Sequence, residues 1–246
     1  MSSFVPFSLA ELADRFFRLG AGEEVEPPQA AAVDAGVDFE VEVFGQSSAP
    51  APAPAPARPH PAVLIFDTET NGLKDPLAIQ IAWIVYDADG GELWKRAEYL
   101  ALPPGRRIDY AAQQIHGITM KILAEIGMVP QSVLADFYAD LDRVVARGGR
   151  VVAHNAKFDA RVVANTARTC GLARGLDASE CFCSMEKSKR RLGLQNRRGG
   201  LKPPKNTELH EALVGPVPAG VQLHDALADV RLTAASYFAG KRLRWW

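Results

Sequence analysis

The stretch AVLIFDTETNG, residues 62–72, decides how this chain is read. The five apolar residues 62–66 predict a short buried strand. Asp67 and Glu69 follow it directly, separated only by Thr68. In extended backbone, residues two apart project to the same side, so both carboxylates leave the strand end together. Carboxylate oxygens suit a hard cation such as Mg²⁺ or Mn²⁺. Alone the pair is a weak motif, because solvated acids at a strand end give the same pattern.

Downstream, the pattern predicts further elements. Residues 78–86 and 93–100 are two more strands, with a hairpin turn at Asp89, Gly90 and Gly91. Residues 131–147 form an amphipathic helix stopped by Gly148 and Gly149. A strand at 150–153 leads into a helix at 157–170, and a weaker strand lies near 180–184. Two helices follow, near 206–214 and 225–239. This order suggests an α/β fold, with an antiparallel meander extended into parallel strands by helical crossovers.

Upstream, residues 48–61 read SAPAPAPAPARPHP. Recurring proline blocks helix and sheet pairing, so this is a semi-rigid Ala/Pro-rich linker reaching about 40 Å. Before it, residues 1–47 offer one short helix, 8–19, and an alternating run, 37–43. Such a segment makes a poor core, and we expect a non-globular, partly disordered extension or a docking arm for a polymerase or other protein.

Of 246 residues, 48% are hydrophobic and 23% charged, as in soluble globular proteins. No apolar run is long enough for a membrane span, and no secretory leader is evident, so no membrane partner is expected. Three cysteines, Cys170, Cys181 and Cys183, are too few for a disulfide framework; buried thiols and an intracellular, reducing compartment are the simpler expectation. The net charge of −1 hides an asymmetry. Residues 1–60 carry net −6, and the remainder carries 25 basic and 20 acidic residues, net +5. A polyanionic partner suits the basic part, although +5 is also ordinary surface chemistry. Residues 187–205 contain eight basic residues with several Gly and Pro, and predict a flexible positive loop.

Two later stretches repeat the acidic theme. In HNAKFD, residues 154–159, Asp159 falls in the first turn of a helix, where it also complements the helix dipole. The fold reading sets it a few ångströms from Asp67, and carboxylates that close repel unless a cation lies between them. In HDALAD, residues 224–229, Asp225 is the expected N-cap. His224 then lies exposed on the preceding loop, and Asp229 one turn inside reaches inward.

FDTETNG, HNAKFDARVV and HDALADV, in that order, resemble the three motifs of the DEDD exonuclease family in its histidine-containing branch, to which the polymerase III proofreading subunit and ribonuclease T belong. IHGIT at 115–119 matches a further stretch of that branch, and the resemblance spans roughly residues 62–240. It leaves a basic, aromatic tail at 241–246 outside, and Asn71 stands where many members have threonine. The resemblance implies a ribonuclease-H-like fold with a mixed five-stranded sheet flanked by helices. It implies 3′–5′ exonuclease activity on single strands or duplex 3′ ends, DNA more than RNA, releasing 5′-mononucleotides. By the same resemblance Asp67, Glu69 and Asp229 hold one divalent ion, Asp67 bridges to a second, and Asp159 assists through water. The two ions, about 4 Å apart, clamp the scissile phosphate while His224 acts as general base. Backbone near Glu69 and Thr70 meets the 3′-hydroxyl, Leu73 and Phe158 wedge or stack on terminal bases, and His116 and Asn155 line the pocket.

Two other readings stand beside it. LIFDTET also resembles the strand-end motif of haloacid-dehalogenase phosphatases, which needs an Asp where Glu69 stands and gives His224 no role. A subunit acting mainly as a nucleic-acid or polymerase-binding module would share the fold without needing all five chemical positions.

Overall fold

The structure, a computed structural model, describes residues 60–246. The expectations for residues 1–47 and for most of the linker lie outside the described residues. Five strands form one mixed sheet: β1 (Val63–Thr70), β2 (Ala78–Tyr86), β3 (Glu92–Tyr99), β4 (Arg150–Ala153) and β5 (Cys181–Cys183). Their order is β3-β2-β1-β4-β5. β1 and β2, and β2 and β3, pair antiparallel, whereas β4 runs parallel to β1 and β5 parallel to β4. Among the described residues the helices are α1 (Tyr110–His116), α2 (Met120–Ile126), α3 (Pro130–Val145), α4 (Ala156–Thr169), α5 (Ser184–Leu192), α6 (Asn206–Leu213) and α7 (Ala226–Arg242). None of them is long and apolar enough to cross a membrane. The mixed sheet flanked by helices is the expected ribonuclease-H-like fold.

The alternation of β1 and β2 sorts the core into two layers. Leu64 and Phe66, with Ile81, Trp83 and Val85, pack against α3 and α4. Val63 and Ile65, with Ala82, Ile84 and Tyr86, pack against Val230, Ala234, Tyr237 and Phe238 of α7. Both sheet faces are covered, which is why β2 is buried along its whole length.

The structure corrects several expectations. β1 does not stop at Phe66 but runs to Thr70, because β2 pairs with it as far as Thr70 opposite Ala78. The two acids therefore belong to the strand itself. α1 and α2 are additional; at seven residues each they offer too few repeats for periodicity to reveal. Four of the eight basic residues of that stretch lie in helix α5, whose buried positions are Ser184 and Ser188, so no apolar stripe announced it. The last helix continues past Gly240 to Arg242. A β-carbon on Gly240 would meet the Trp246 ring at 2.2 Å, so this glycine makes room for the tail and does not end the helix. Trp246 folds back with its indole N–H on the Tyr237 carbonyl (3.2 Å) and its ring against Phe182. The three cysteines are free and only partly buried.

One polar group is central to the α3 face. Asp140, buried, accepts the indole N–H groups of Trp83 and Trp94 on one oxygen, both at 2.9 Å, and Arg143 on the other at 2.9 Å. Trp83 is fully buried, so its N–H has no access to water. Asp140→Ala is expected to destabilise the domain by on the order of 2–4 kcal/mol, the cost of lost charge-assisted bonds and an orphaned indole donor. Urea unfolding followed by tryptophan fluorescence measures this; a loss below about 1 kcal/mol contradicts it.

Candidate active site

β1 outruns its parallel neighbour. β4 pairs with it only at Val63–Ile65, whereas β2 accompanies it to Thr70. Asp67 to Thr70 thus border a notch at the C-terminal end of β4, the region where open α/β sheets place ligands. Asp67 and Glu69 share a side with Val63 and Ile65, toward α7 and its Asp229. Thr68 points to the other side, where its hydroxyl donates to Asp159 Oδ1 on α4 at 2.8 Å. The chain reverses into α4 immediately after β4, which carries Asp159 up beside Asp67.

The electrostatics record this convergence. Burial, then the charges of Asp159, Asp229 and Glu69, raise the Asp67 carboxyl well above its ordinary value. Glu69 is pushed up to about 8 by burial and then by Asp229 and Asp159. Burial lifts Asp159 to about 7 against the opposing Thr68 hydrogen bond, and burial also raises Asp229. Among the described residues, no lysine or arginine is ion-paired with these four acids. Ligand atoms of Glu69, His224 and Asp229 lie within 4.8 Å of one another. Hard oxygen donors, mutual repulsion and absent side-chain cations fit a divalent ion in the notch.

The histidine arises from strained backbone. His224 is exposed and has φ 61°, a left-handed conformation uncommon for a side chain with a β-carbon. Its backbone N–H donates to Asp229 Oδ2 at 3.0 Å. Asp225 caps α7 as expected, accepting from Ala228 N–H at 3.1 Å.

Several residues that position the site went unread in the sequence. Gln80, buried in the otherwise apolar β2, donates to Asp225 Oδ1 (2.8 Å) and accepts the Ala226 N–H (3.0 Å), which fixes the start of α7 to the sheet. Asn206 donates to the Asp229 carbonyl (3.0 Å) and Oδ1 (3.3 Å). A buried glutamine inside AIQIAWIVY was the one available signal; nothing local marks Asn206.

The remaining candidates separate. Leu73 is 77% exposed. Its loop is closed by Asn71, whose Oδ1 accepts the Leu77 N–H (2.8 Å) and whose amide donates to the Arg107 carbonyl (3.1 Å). Gly72 there has φ 155°, a backbone conformation that residues with a β-carbon rarely adopt. Asn155 and Phe158 line a cavity of ≈ 400 Å³ together with Lys157 and Arg161, whose guanidinium lies 5.5 Å from the Phe158 ring centre. Thr70 is buried, its hydroxyl on the Gly72 carbonyl at 3.0 Å. His116 sits at the end of β1, within range of the His224 charge. It is buried, accepts the Ile118 N–H on Nδ1 (3.0 Å), and so carries its proton on Nε2, which donates to the Thr70 carbonyl (3.1 Å). Its contribution is to hold the end of β1.

The raised carboxyl groups make a pH prediction. Glu69 and Asp159 have ordinary values of 4.5 and 3.8, against about 8 and 7 in the folded, metal-free protein. The folded state therefore keeps protons that the unfolded chain releases, and stability falls as pH rises from about 4 to 8. Melting of metal-free protein should occur at a lower temperature at about pH 8 than at about pH 6, and Glu69→Gln should flatten the difference. Mn²⁺ should raise the melting temperature more at the higher pH. Parallel curves for wild type and variant would contradict the assignment.

Comparison with known proteins identifies the fold and the family. No curated protein sequence matches the chain. Exonuclease X, solved with 5′-overhanging duplex DNA, is 28% identical with a TM-score of 0.53, over 75% of this chain and 93% of that one. E. coli exonuclease I, solved with single-stranded DNA, is 19% identical with a TM-score of 0.59, over 75% of this chain and 41% of its own. Cell-death related nuclease 4 is 16% identical with a TM-score of 0.58, over 75% and 65%. The chain spans about two fifths of the exonuclease I chain. A family model for exonucleases, RNase_T, matches residues 64–237. With that match covering well over half of its length, the chain belongs to the RNase_T exonuclease family.

Proposed function

We propose that the protein is a divalent-metal-dependent 3′–5′ exonuclease that hydrolyses phosphodiester bonds at DNA 3′ ends and releases 5′-mononucleotides. The observation that carries this reading is the convergence of Asp67, Glu69, Asp159 and Asp229 from three separate elements beside an exposed His224. DNA is favoured over RNA because exonuclease X and exonuclease I are relatives solved with DNA.

Asp67, Glu69 and Asp229 would hold one Mg²⁺ or Mn²⁺, with Asp159 contributing to a second. Bound there, the ions supply positive charge to the scissile phosphate and acidify the attacking water. The chain's residues do the rest. His224, exposed at the rim, accepts the proton of that water. Asn206 and the His224 N–H hold the Asp229 carboxylate, so its oxygens face the notch in a fixed orientation. Thr68 does the same for Asp159. Gln80 keeps the His224–Asp229 segment in register with β1. Leu73 would wedge against a terminal base and Phe158 would stack on one; base–aromatic stacking contributes about 1–3 kcal/mol. The terminal 3′-hydroxyl would meet backbone near Glu69 and Thr70.

The test is digestion of matched 5′-labelled DNA and RNA, single- and double-stranded, with Mg²⁺ and with EDTA. A ladder shortening from the 3′ end, with mononucleotide product and no reaction in EDTA, is expected. Label released first as a mononucleotide would reverse the polarity. Asp67→Ala should abolish digestion while the protein stays folded, and an active variant removes the site. His224→Ala should slow turnover by on the order of 10²–10⁴-fold with Mn²⁺ affinity retained. Loss of Mn²⁺ affinity would instead make His224 a ligand, as its closeness to Glu69 and Asp229 also allows.

A further inference from the structure

The basic stretch after β5 is an organised projection. α5 ends at Gly193, whose φ of 62° turns the chain out of the helix. Residues 194–202 then form a small hairpin. Gln195 bridges Leu201, and the Lys202 N–H donates to the Leu194 carbonyl at 2.7 Å. Asn196 builds the turn: its N–H donates to the Gly200 carbonyl (2.8 Å), and its Oδ1 accepts the Arg198 (2.9 Å) and Gly200 (3.2 Å) N–H groups. Arg197 and Arg198 stand exposed at the tip.

The base of this projection is tied to the acidic notch on both sides. His154, at the end of β4, holds it twice. Its Nδ1 takes the Ser184 hydroxyl at the start of α5, and its Nε2–H donates to the Pro204 carbonyl, both at 3.0 Å. Two residues on, Asn206 donates to Asp229. Lys202 and Lys205 brace this root through Glu208. The tip is thus fixed relative to Asp159 and Asp229.

Its charge has no internal explanation. Lys187, Lys189, Arg190, Arg191, Arg197 and Arg198 form no salt bridge among the described residues, and Glu186 is the one acid between Ser184 and Asn206. Arg191 instead lies 5.8 Å from the Trp245 ring. Six unneutralised cations repel one another, while the notch beside them is acidic and by itself repels a polyanion. A ligand bearing regularly spaced negative charge, entering the notch at one end, satisfies both.

We propose that residues 184–202 grip the phosphodiester backbone of the nucleic acid several nucleotides away from the scissile bond. This rests on the reading of the notch as the cleavage site. Each phosphate contact on a single strand adds about 0.7 to the slope of log affinity against log salt. Removing contacts from the finger therefore weakens long ligands more than short ones.

The experiment measures anisotropy of 5′-labelled 20-nucleotide and 4-nucleotide DNA with full-length protein in EDTA, across a KCl series. For the long strand, R197Q/R198Q should make the slope shallower by about 1.4, and R190Q/R191Q should act in the same direction. The variants should narrow the affinity ratio of long over short strands. Unchanged slopes for the long strand, or an equal change for both lengths, overturn the proposal. Displacement of the long strand by polyglutamate at equal charge concentration also overturns it, since the site would then read charge without phosphate. Binding in EDTA does not depend on turnover. A protein that shows this salt dependence yet digests nothing upholds the finger and sinks the proposed activity.

Discussion

The site depends on a mismatch of strand lengths. β1 has antiparallel company to Thr70 on one side but parallel company only to Ile65 on the other. Past that point one side of β1 is open, and the strand still holds its alternation because β2 and the packed faces enforce it. Side chains that would otherwise be covered by a neighbouring strand then border a cleft. Had β4 continued for four more residues, Asp67 and Glu69 would be walled in and α4 could not deliver Asp159 beside them.

That geometry creates an electrostatic debt. Four acids gather where burial disfavours charge; Asp159, Asp229 and Glu69 add to the effect on Asp67, Asp229 and Asp159 to that on Glu69, and Asp229 to that on Asp159. Only rigid supports hold them there. Thr68 pins Asp159, Asn206 and the His224 N–H pin Asp229, and Gln80 ties the α7 start to β2. These supports mean that a cation meets preset donors, and the relief of repulsion adds to its binding. On the proposed reading, the basic finger offsets from outside the repulsion that a phosphate backbone would meet on approach.

The same residues link these two levels. His154 belongs to the stretch that ends in Asp159, yet its ring holds Ser184 and Pro204 and so roots the finger. Asn206 contacts Asp229 from the other end of that root. Acidic notch and basic surface are therefore joined, with the Asp159 and Asp229 segments each carrying one side of the finger.

Much of this was legible along the chain because it is local. The apolar run before Asp67, the spacing of Asp67 and Glu69, the position of Asp159 in a first helical turn and the Asp225 cap follow from periods of two and 3.6 residues and from capping chemistry. The order of elements gave the mixed sheet for the same reason. Other features escaped because no local pattern encodes them. Helix α5 buries two serines, α1 and α2 are too short to show a period, and nothing local shows that both ring nitrogens of His116 are engaged by backbone. Sequence by itself determined which residues carry the charge and on which side of its strand or helix each one emerges. Tertiary structure decided that the charges meet: Thr68 and Asp159 lie 91 positions apart, and Gln80 and Asp225 lie 145 apart. Contacts over such separations exist only once strand pairing and helix packing have closed the chain, because hydrogen bonds and Coulomb repulsion act over a few ångströms of space and carry no record of distance along the sequence.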